Sequence, residues 1–400
     1  MPTLSPRITG IVTGADDGWG VQERARAMQR AGRDDVILLT MGDHDFPTAE
    51  PIRDACAAAL AAGETGYGSI HGIEPLRKLI AARGAPVHGI GIDPASVVVS
   101  MGGQAALFAA LCATLGPGDE AIVIEPYYAT YEQTIRSAGG VAVTVPTSAD
   151  DGFQPDPATL RAAIGPRTRA ILCNSPNNPS GAVYTRATLE GIAALCREHD
   201  LWLISDEVYH SQVYEADHLS PASLPGMAER TFIVDSMSKS HAMTGWRSGW
   251  LICPSREAAQ CVTDLFLTSA YGVAPFIQSA MRVALESGEG PEAKIAALYR
   301  RRRDRAVAAL ARSPRLGIHP PEAAMYVMID LRPLIGDAPG AAERFAYALL
   351  DATGVAVMPG DSFGPSAAGH IRISLTASED DLTEACTRLA AFADTWSDPE

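Results

Sequence analysis

The sequence lacks the features that mark secreted, membrane and zinc-binding proteins. Its first residues, MPTLSPRITGIV, do not form the basic and then apolar run of a signal peptide. The apolar segment ACAAALAA at 55–62 is far too short to cross a bilayer. The seven cysteines are scattered without a C-x-x-C pair, and DEVYH at 206–210 is not an H-E-x-x-H motif. We therefore expect reduced thiols in a cytoplasm and no metal site.

Basic charge is also scarce, since the formal net charge is −15 over 400 residues. Such a surface repels nucleic acid and anionic membranes, so neither is an expected partner. A regulator with an N-terminal DNA-binding domain is disfavoured for the same reason, and because only about 40 residues precede the predicted fold. A hydrophobic content of 47% with 20% charged residues describes a well-packed globular chain whose length suggests two domains.

Short apolar runs alternate with helical patterns between residues 97 and 253. The runs are VVVS, AIVIEP, VAVTVP, AILC, LWLIS, TFIVD and GWLIC. Strands separated by helices need crossover connections, which predicts an α/β fold with a mostly parallel sheet between helices. We assign residues 46–290 to this large domain.

The last third of the chain has a different pattern. It predicts a long helix from about 291 to 313, strands at MYVMIDL, VAVMPG and IRISL, a helix at AAERFAYALLDAT and a last helix from Ser378. The arginine run 300–303 is interpreted as a solvated face of the long helix. Residues 291–400 and 1–45 are therefore assigned to a smaller α+β domain.

Polar residues follow the predicted strands at the edge where parallel α/β sheets bind ligands. These residues are Gly102, Gly103, Gln104, Tyr127, Tyr128, Asn174, Asn177, Asn178, Asp206, Glu207, Tyr209, Ser236, Ser238, Lys239 and Arg247. Each alone is more often a turn, a helix cap or a solvated side chain. Together they offer an anion site, a lysine, a carboxylate, hydrogen-bond donors and an aromatic face. Pyridoxal phosphate needs this set for its phosphate, Schiff base, pyridinium nitrogen and ring.

Four sequence motifs, in the same order as in a known family, indicate a family resemblance. NSPNNPSG, ISDEVYH, SMSKSHAMTGWRSGW and HIRISL resemble the class I/II aminotransferases, the aspartate aminotransferase-like group of fold-type-I pyridoxal-phosphate enzymes. The resemblance runs from about Leu38 to the C-terminus and implies a seven-stranded, mostly parallel sheet. GYGSIHG at 66–72 only approximates a dinucleotide-binding loop, because His71 stands where the third glycine should fall.

The resemblance implies roles for the cofactor-binding residues. Lys239 forms the Schiff base, and Asp206 pairs with the ring nitrogen. Tyr209 and Asn178 donate to the phenolic oxygen, and Tyr128 stacks on the ring. The phosphate is bound by Ser236, Arg247 and the amides of Gly103 and Gln104.

The resemblance also implies a shared active site. Tyr67 reaches the phosphate of a neighbouring subunit, so a homodimer is expected. Arg372 binds the substrate α-carboxylate as a fork. Gly42, Trp19 and Asn178 complete the substrate site. The implied reaction is ping-pong transfer of an amino group from an L-amino acid to a 2-oxo acid.

The substrate is less constrained by these motifs. Gln104 stands where aspartate-specific bacterial relatives have lysine. SPASLPGMAER, SKSHAMTGWR, YRRRRD and FGPSAAGHIR look like the arginine:pyruvate transaminases. We hypothesise that Asp16 or Asp17, near the pocket mouth, pairs with a cationic substrate, although a solvated acidic loop is the simpler interpretation. An aspartate-, aromatic- or alanine-type aminotransferase and a cofactor-dependent C–S β-lyase stay open as alternatives.

Overall fold

The structure, a computed structural model, describes residues 2–12 and 18–397. The helices are α1 (Pro6–Thr9), α2 (Trp19–Arg30), α3 (Glu50–Ala61), α4 (Glu74–His88), α5 (Gly103–Thr114), α6 (Tyr131–Ser137), α7 (Pro157–Ala163), α8 (Arg186–Glu198), α9 (Met237–Ser240), α10 (Arg256–Ser269), α11 (Pro275–Glu286), α12 (Gly290–Leu310), α13 (Arg332–Ile335), α14 (Ala341–Thr353) and α15 (Glu379–Thr395). The strands are β1 (Ile37–Leu38), β2 (Val97–Ser100), β3 (Glu120–Ile124), β4 (Val141–Val145), β5 (Thr168–Asn174), β6 (Trp202–Asp206), β7 (Thr231–Ser236), β8 (Gly249–Ile252), β9 (Gly317–Ile318), β10 (Tyr326–Asp330), β11 (Val355–Ala356), β12 (Met358–Pro359) and β13 (His370–Ser374).

The predicted seven-stranded sheet is confirmed, in the order β2-β8-β7-β6-β5-β3-β4. Only β8 runs antiparallel to its neighbours β2 and β7. Alternate residues of the central strands enter different cores: Leu172 and Ile204 lie in one, and Ile171 and Leu203 in the other. Helices therefore cover both faces, which explains why these strands are apolar throughout. The carboxyl ends of β5, β6 and β7 meet at one edge.

A second, antiparallel sheet has the order β12-β13-β10-β9. Its core includes the buried faces of α14 and α15. β1 pairs in parallel with β11, which joins the N-terminal segment to this C-terminal part. The sheet agrees with the predicted α+β character of the tail, while the domain boundaries at 45/46 and 290/291 stay a prediction.

The long helix α12 corrects one expectation. The arginine run is not a uniformly solvated face, because the side chains of Arg302 and Arg303 are only 5% and 8% exposed. Arg302 donates to both carboxylate oxygens of Asp45 at 2.8 Å, and Arg303 forms a similar fork with Glu215. Helical spacing places both arginines on the same buried face as Tyr299, whereas Arg300 and Arg301 are exposed.

Within residues 2–12 and 18–397, no helix combines the length and the apolar character that a bilayer crossing requires.

We predict that Arg302→Ala lowers the free energy of unfolding by about 3 kcal/mol, because it leaves the Asp45 carboxylate without its fork. Arg301→Ala is the matched control, since the Arg301 side chain is 61% exposed and its ion pair with Glu379 is long, with 3.6 Å between Nε and Oε1. Its effect should stay within about 0.5 kcal/mol. Urea unfolding of both variants measures the difference, and equal losses would contradict the structural role of the Arg302–Asp45 pair.

Candidate active site

A cavity of about 450 Å³, hereafter the main cavity, opens at the carboxyl edge of the large sheet. Twelve of the thirteen residues to which the family resemblance assigns a role line it: Trp19, Gly42, Gly103, Gln104, Tyr128, Asn178, Asp206, Tyr209, Ser236, Lys239, Arg247 and Arg372. Their positions along the chain span more than 350 residues. The fold therefore brings together the groups that the sequence connects through strand ends and motifs.

One end of the main cavity is suited to an anion. Helix α5 begins at Gly103, so its first backbone N–H groups lack helical partners and face this end. Arg247 has a left-handed backbone, with φ of 56°, and donates to the carbonyls of Thr244 and Met101. Its guanidinium lies against Gly102, where an added Cβ would be 2.5 Å from Nη2. Ser236 Oγ caps α9 by accepting from the Ser238 amide. The glycine is thus needed for the close approach of helix and arginine.

Lys239 lies on α9, directly after β7. The chain has three lysines, of which Lys78 and Lys294 are exposed, and only Lys239 lines the main cavity. Its Nζ donates to the carbonyl of Gly42, and its own carbonyl accepts from Gln212 Nε2 at 2.9 Å. The turn that carries the amine is therefore fixed at its backbone.

Asp206 ends β6 and is buried. Burial raises the pKa of its carboxyl to about 6, against hydrogen bonds from the Tyr131 hydroxyl and the Val208 amide, which lower it. Asn174 Nδ2 donates to the Asp206 carbonyl at 2.9 Å, and Asn174 Oδ1 accepts from the Asn178 amide at 2.8 Å. Asn174 thus fixes the end of β6 relative to the NNP loop.

Arg372 comes from the second sheet and is 4% exposed. Its guanidinium lies between two aromatic faces, 4.3 Å from the centroid of Tyr326 and 4.7 Å from that of Phe363. Nη1 donates to Asn178 Oδ1 at 3.0 Å and Nη2 to the carbonyl of Thr40, while Nε is buried without a hydrogen-bond partner. Burial lowers the pKa of Arg372. A carboxylate would supply the anion that this guanidinium lacks.

The other aromatic side chains surround the same space. Tyr209 Oη lies 3.2 Å from Tyr326 Oη, and the Tyr128 ring packs edge-on against Tyr131 at 5.7 Å. Burial raises the pKa of Tyr209 well above its usual value, so its hydroxyl stays a hydrogen-bond donor.

The side chains of two predicted residues, Gln104 and Tyr67, are placed differently from those of the other predicted site residues. The side chain of Gln104 is held on α6, with Nε2 donating to Thr134 and Oε1 accepting from Thr130. Tyr67 does not line the main cavity; it is 89% exposed and lies 5.0 Å from the Tyr271 ring. Asp16 and Asp17 fall outside the described residues, so the structure does not address the hypothesis about them.

Sequence reasoning missed Tyr131, Tyr326 and Phe363. Their only sequence signal was proximity to assigned residues, such as the spacing of three between Tyr128 and Tyr131. It also left Ser240 and His241 without an account. Ser240 Oγ lies 2.8 Å from His241 Nδ1, beside a second cavity of about 260 Å³ behind the lysine turn.

Glu207, next to Asp206, is at the centre of a buried polar cluster. Its Oε1 accepts from Ser205 and Ser220, each at 2.7 Å, and its Oε2 lies 3.0 Å from His88 Nδ1 and 2.8 Å from His218 Nε2. Two imidazoles and a carboxylate are also a possible ligand set for a metal. The nitrogen–oxygen separations are those of hydrogen bonds, and four donors satisfy the carboxylate.

The main cavity fits the cofactor expected from the sequence. It has an anion-binding helix start beside an arginine, an amine on a fixed turn, and a buried carboxylate that needs a cationic partner. Pyridoxal phosphate carries a phosphate, an aldehyde and a ring nitrogen that becomes cationic. Arg372, which comes from the second sheet, is a separate group that can bind a carboxylate.

Comparison with known proteins gives an independent line of evidence. Residues 34–389 match the family described as aminotransferase class I and II. The chain is 46% identical to the arginine–pyruvate transaminase of Pseudomonas aeruginosa, covering 95% of this chain and 96% of that protein. It is 40% identical to the aspartate/prephenate aminotransferase of Thermus thermophilus, covering 98% of both. Among solved structures, the aspartate aminotransferase of Rhizobium meliloti superposes with a TM-score of 0.92 at 33% identity, over 99% of this chain and 100% of that one.

We predict that Gly102→Ala weakens pyridoxal phosphate binding by about tenfold or more, because the new methyl group displaces the Arg247 guanidinium. Gly118→Ala is the matched control: its φ of 81° resembles the 83° of Gly102, but nothing lies within 4 Å of an added Cβ. Titrating each apoprotein with the cofactor, followed by visible absorbance, gives the affinities. Similar losses in both variants would mean that backbone strain, and not Arg247, limits binding.

Proposed function

Since the chain belongs to the class I and II aminotransferases, which depend on pyridoxal 5′-phosphate, we propose that the main cavity performs its transamination. An amino group passes from an L-amino acid to a 2-oxo acid. The observation that carries this assignment is the convergence of Lys239, Asp206 and Arg372 on one cavity. Lys239 supplies a base, Asp206 supplies a partner for a cationic ring, and Arg372 supplies a forked donor for a carboxylate.

Each of these groups performs a separate task. Pyridoxal phosphate, when bound, supplies a protonated ring that withdraws electrons from the substrate α-carbon. The Asp206 carboxylate, buried at the end of β6, keeps the ring nitrogen protonated. Lys239 Nζ would move a proton from the substrate α-carbon to the bound cofactor and, in the opposite half-reaction, from the cofactor back to the α-carbon of the acceptor. Its short turn and the Gly42 carbonyl keep the amine near that carbon.

The substrate carboxylate is assigned to Arg372. Its guanidinium is held between two aromatic rings and by bonds to Asn178 and the Thr40 carbonyl, so its orientation is fixed before the substrate binds. Its Nε–H has no partner in the protein. A single fork accepts a single α-carboxylate at a time. The donor must therefore leave as its 2-oxo acid before the acceptor enters, which gives ping-pong kinetics.

For the substrate pair, we propose arginine and pyruvate. The name of the relative at 46% identity supports this pair, and the site lacks a lysine at position 104. Gln104 is neutral, so it offers no charge to a second carboxylate, and its amide is already hydrogen-bonded to Thr130 and Thr134. The relative named aspartate/prephenate aminotransferase, at 40% identity, keeps aspartate as the alternative donor.

We further propose a cytoplasmic homodimer in which each site uses Tyr67 of the other subunit. The exposed Tyr67–Tyr271 pair lies on the surface and supports an intersubunit role for this segment. The seven cysteines are free thiols, in keeping with a reducing compartment.

A donor–acceptor matrix tests the substrate assignment. Arginine, aspartate, alanine and phenylalanine are each paired with pyruvate and 2-oxoglutarate, and we expect the highest kcat/KM for arginine with pyruvate. Gln104→Lys should raise kcat/KM for aspartate by about tenfold, because it adds a cation near a second carboxylate. Gln104→Met removes the amide without adding charge and should give no such gain. An enzyme that prefers aspartate and does not use arginine would contradict the proposal.

Mixing two inactive variants tests the shared site. Lys239→Ala and Tyr67→Ala are purified separately, unfolded, mixed and refolded together. A hybrid dimer has one site with both Lys239 and the partner's Tyr67, so activity should return only in the mixture. Lys239→Ala mixed with Asp206→Ala is the control and should stay inactive, because neither subunit of its hybrids has both residues. Wild-type protein taken through the same unfolding and refolding shows how much activity the procedure recovers. An inactive first mixture, with the refolded wild type active, would contradict the intersubunit role of Tyr67.

A further inference from the structure

Tyr131 is the one buried side-chain hydroxyl that hydrogen-bonds to the carboxylate of Asp206 in the described residues. We propose that Tyr131 is a positioning residue that holds Asp206 ionised and oriented toward the cofactor ring nitrogen. This inference rests on the proposed role of Asp206.

The geometry of the contact is specific. Tyr131 Oη donates to Asp206 Oδ2 at 2.6 Å, while the Val208 amide reaches Oδ1 at 3.4 Å. The Tyr131 ring is 2% exposed and lies in the core beneath α5. Because the ring is packed and the hydroxyl engaged, the carboxylate has one preferred orientation. Oδ1, with only the longer contact from the Val208 amide, is the oxygen that we assign to the ring nitrogen.

The electrostatic surroundings explain why such a donor matters. Glu207, next in the chain, and Asp235 on β7 are both acidic and disfavour a charge on Asp206. Tyr128, Tyr131 and Tyr209 are the phenols that face it, and burial keeps them neutral. A hydrogen bond to the ionised carboxylate offsets part of the cost of burial.

Tyr131 also connects this carboxylate to the face that stacks on the ring. Helix α6 begins at Tyr131, and the Tyr131 amide donates to the Tyr128 carbonyl at 2.8 Å. The two rings pack edge-on, at 87°. One turn of chain therefore places both the stacking ring and the hydroxyl that orients Asp206.

Removing the hydroxyl alone tests the proposal. In apo Tyr131→Phe, a ¹³C-carboxyl titration should show the pKa of Asp206 higher by about 1, since the ionised form loses a donor. The resonance is assigned by its loss in Asp206→Asn. Pyridoxal phosphate should bind about tenfold more weakly, and the acid limb of the kcat/KM profile should move to higher pH. Tyr127→Phe is the matched control, because Tyr127 Oη donates to Glu132 at 2.6 Å instead.

The results of these variants either support or overturn the proposed role of Tyr131. A higher Asp206 pKa and weaker cofactor binding in Tyr131→Phe, with both unchanged in Tyr127→Phe, support the proposal. An unchanged pKa, or equal effects of the two substitutions, overturns it. If Tyr131→Phe does not fold, Asp206→Asn and Asp206→Asn/Tyr131→Phe give the same test, because neither contains the buried carboxylate. The second substitution should then change cofactor affinity less than about twofold, and a tenfold further loss overturns the proposal.

The same variants distinguish this inference from the proposed function. If Asp206→Asn binds and uses the cofactor like the wild type, the assignment of Asp206 to the ring is wrong. The titration of the apoprotein would still report whether Tyr131 controls the carboxylate.

Discussion

The carboxylate of Asp206 is a negative charge at the buried end of a central strand, and a buried charge is costly unless donors and a cation surround it. Tyr131 supplies one donor, and the Val208 amide lies at the other oxygen. A cationic partner is what the carboxylate still needs, and the proposed ring nitrogen supplies it. The parallel sheet makes this arrangement possible because it delivers several strand ends to one edge.

Arg372 is a buried positive charge, and its burial is costly for the same reason. It reaches the main cavity from the second sheet, and its guanidinium is held by two aromatic faces, the Asn178 side chain and the Thr40 carbonyl. Burial leaves a strong donor short of an anion, which the proposed substrate carboxylate would supply. The two sheets thus present opposite charges to a common space. The Arg302–Asp45 pair ties the N-terminal segment, whose Thr40 carbonyl accepts from Arg372, to helix α12.

Strand and helix placement and the motif residues were predictable, because apolar runs and the spacing of Ser236, Lys239 and Arg247 are local. The structure brings these residues to one cavity, while their individual roles stay predictions. Tyr131 and Phe363 could not be singled out, because a buried aromatic residue is most often simply core. The pairing of Arg302 with Asp45 was missed because the partners are 257 residues apart. Charge patterns along one helix do not reveal such partners.

The central claim is that Lys239 is the lysine that bears the cofactor. Borohydride makes the bond between the cofactor aldehyde and a lysine nitrogen permanent, and peptide mass spectrometry then locates it. The chain offers only Lys78, Lys239 and Lys294, so the two exposed lysines are internal controls. We predict stoichiometric labelling of Lys239 alone. Labelling of Lys78 or Lys294 instead, or no labelling of a holoenzyme that transaminates, would contradict the account.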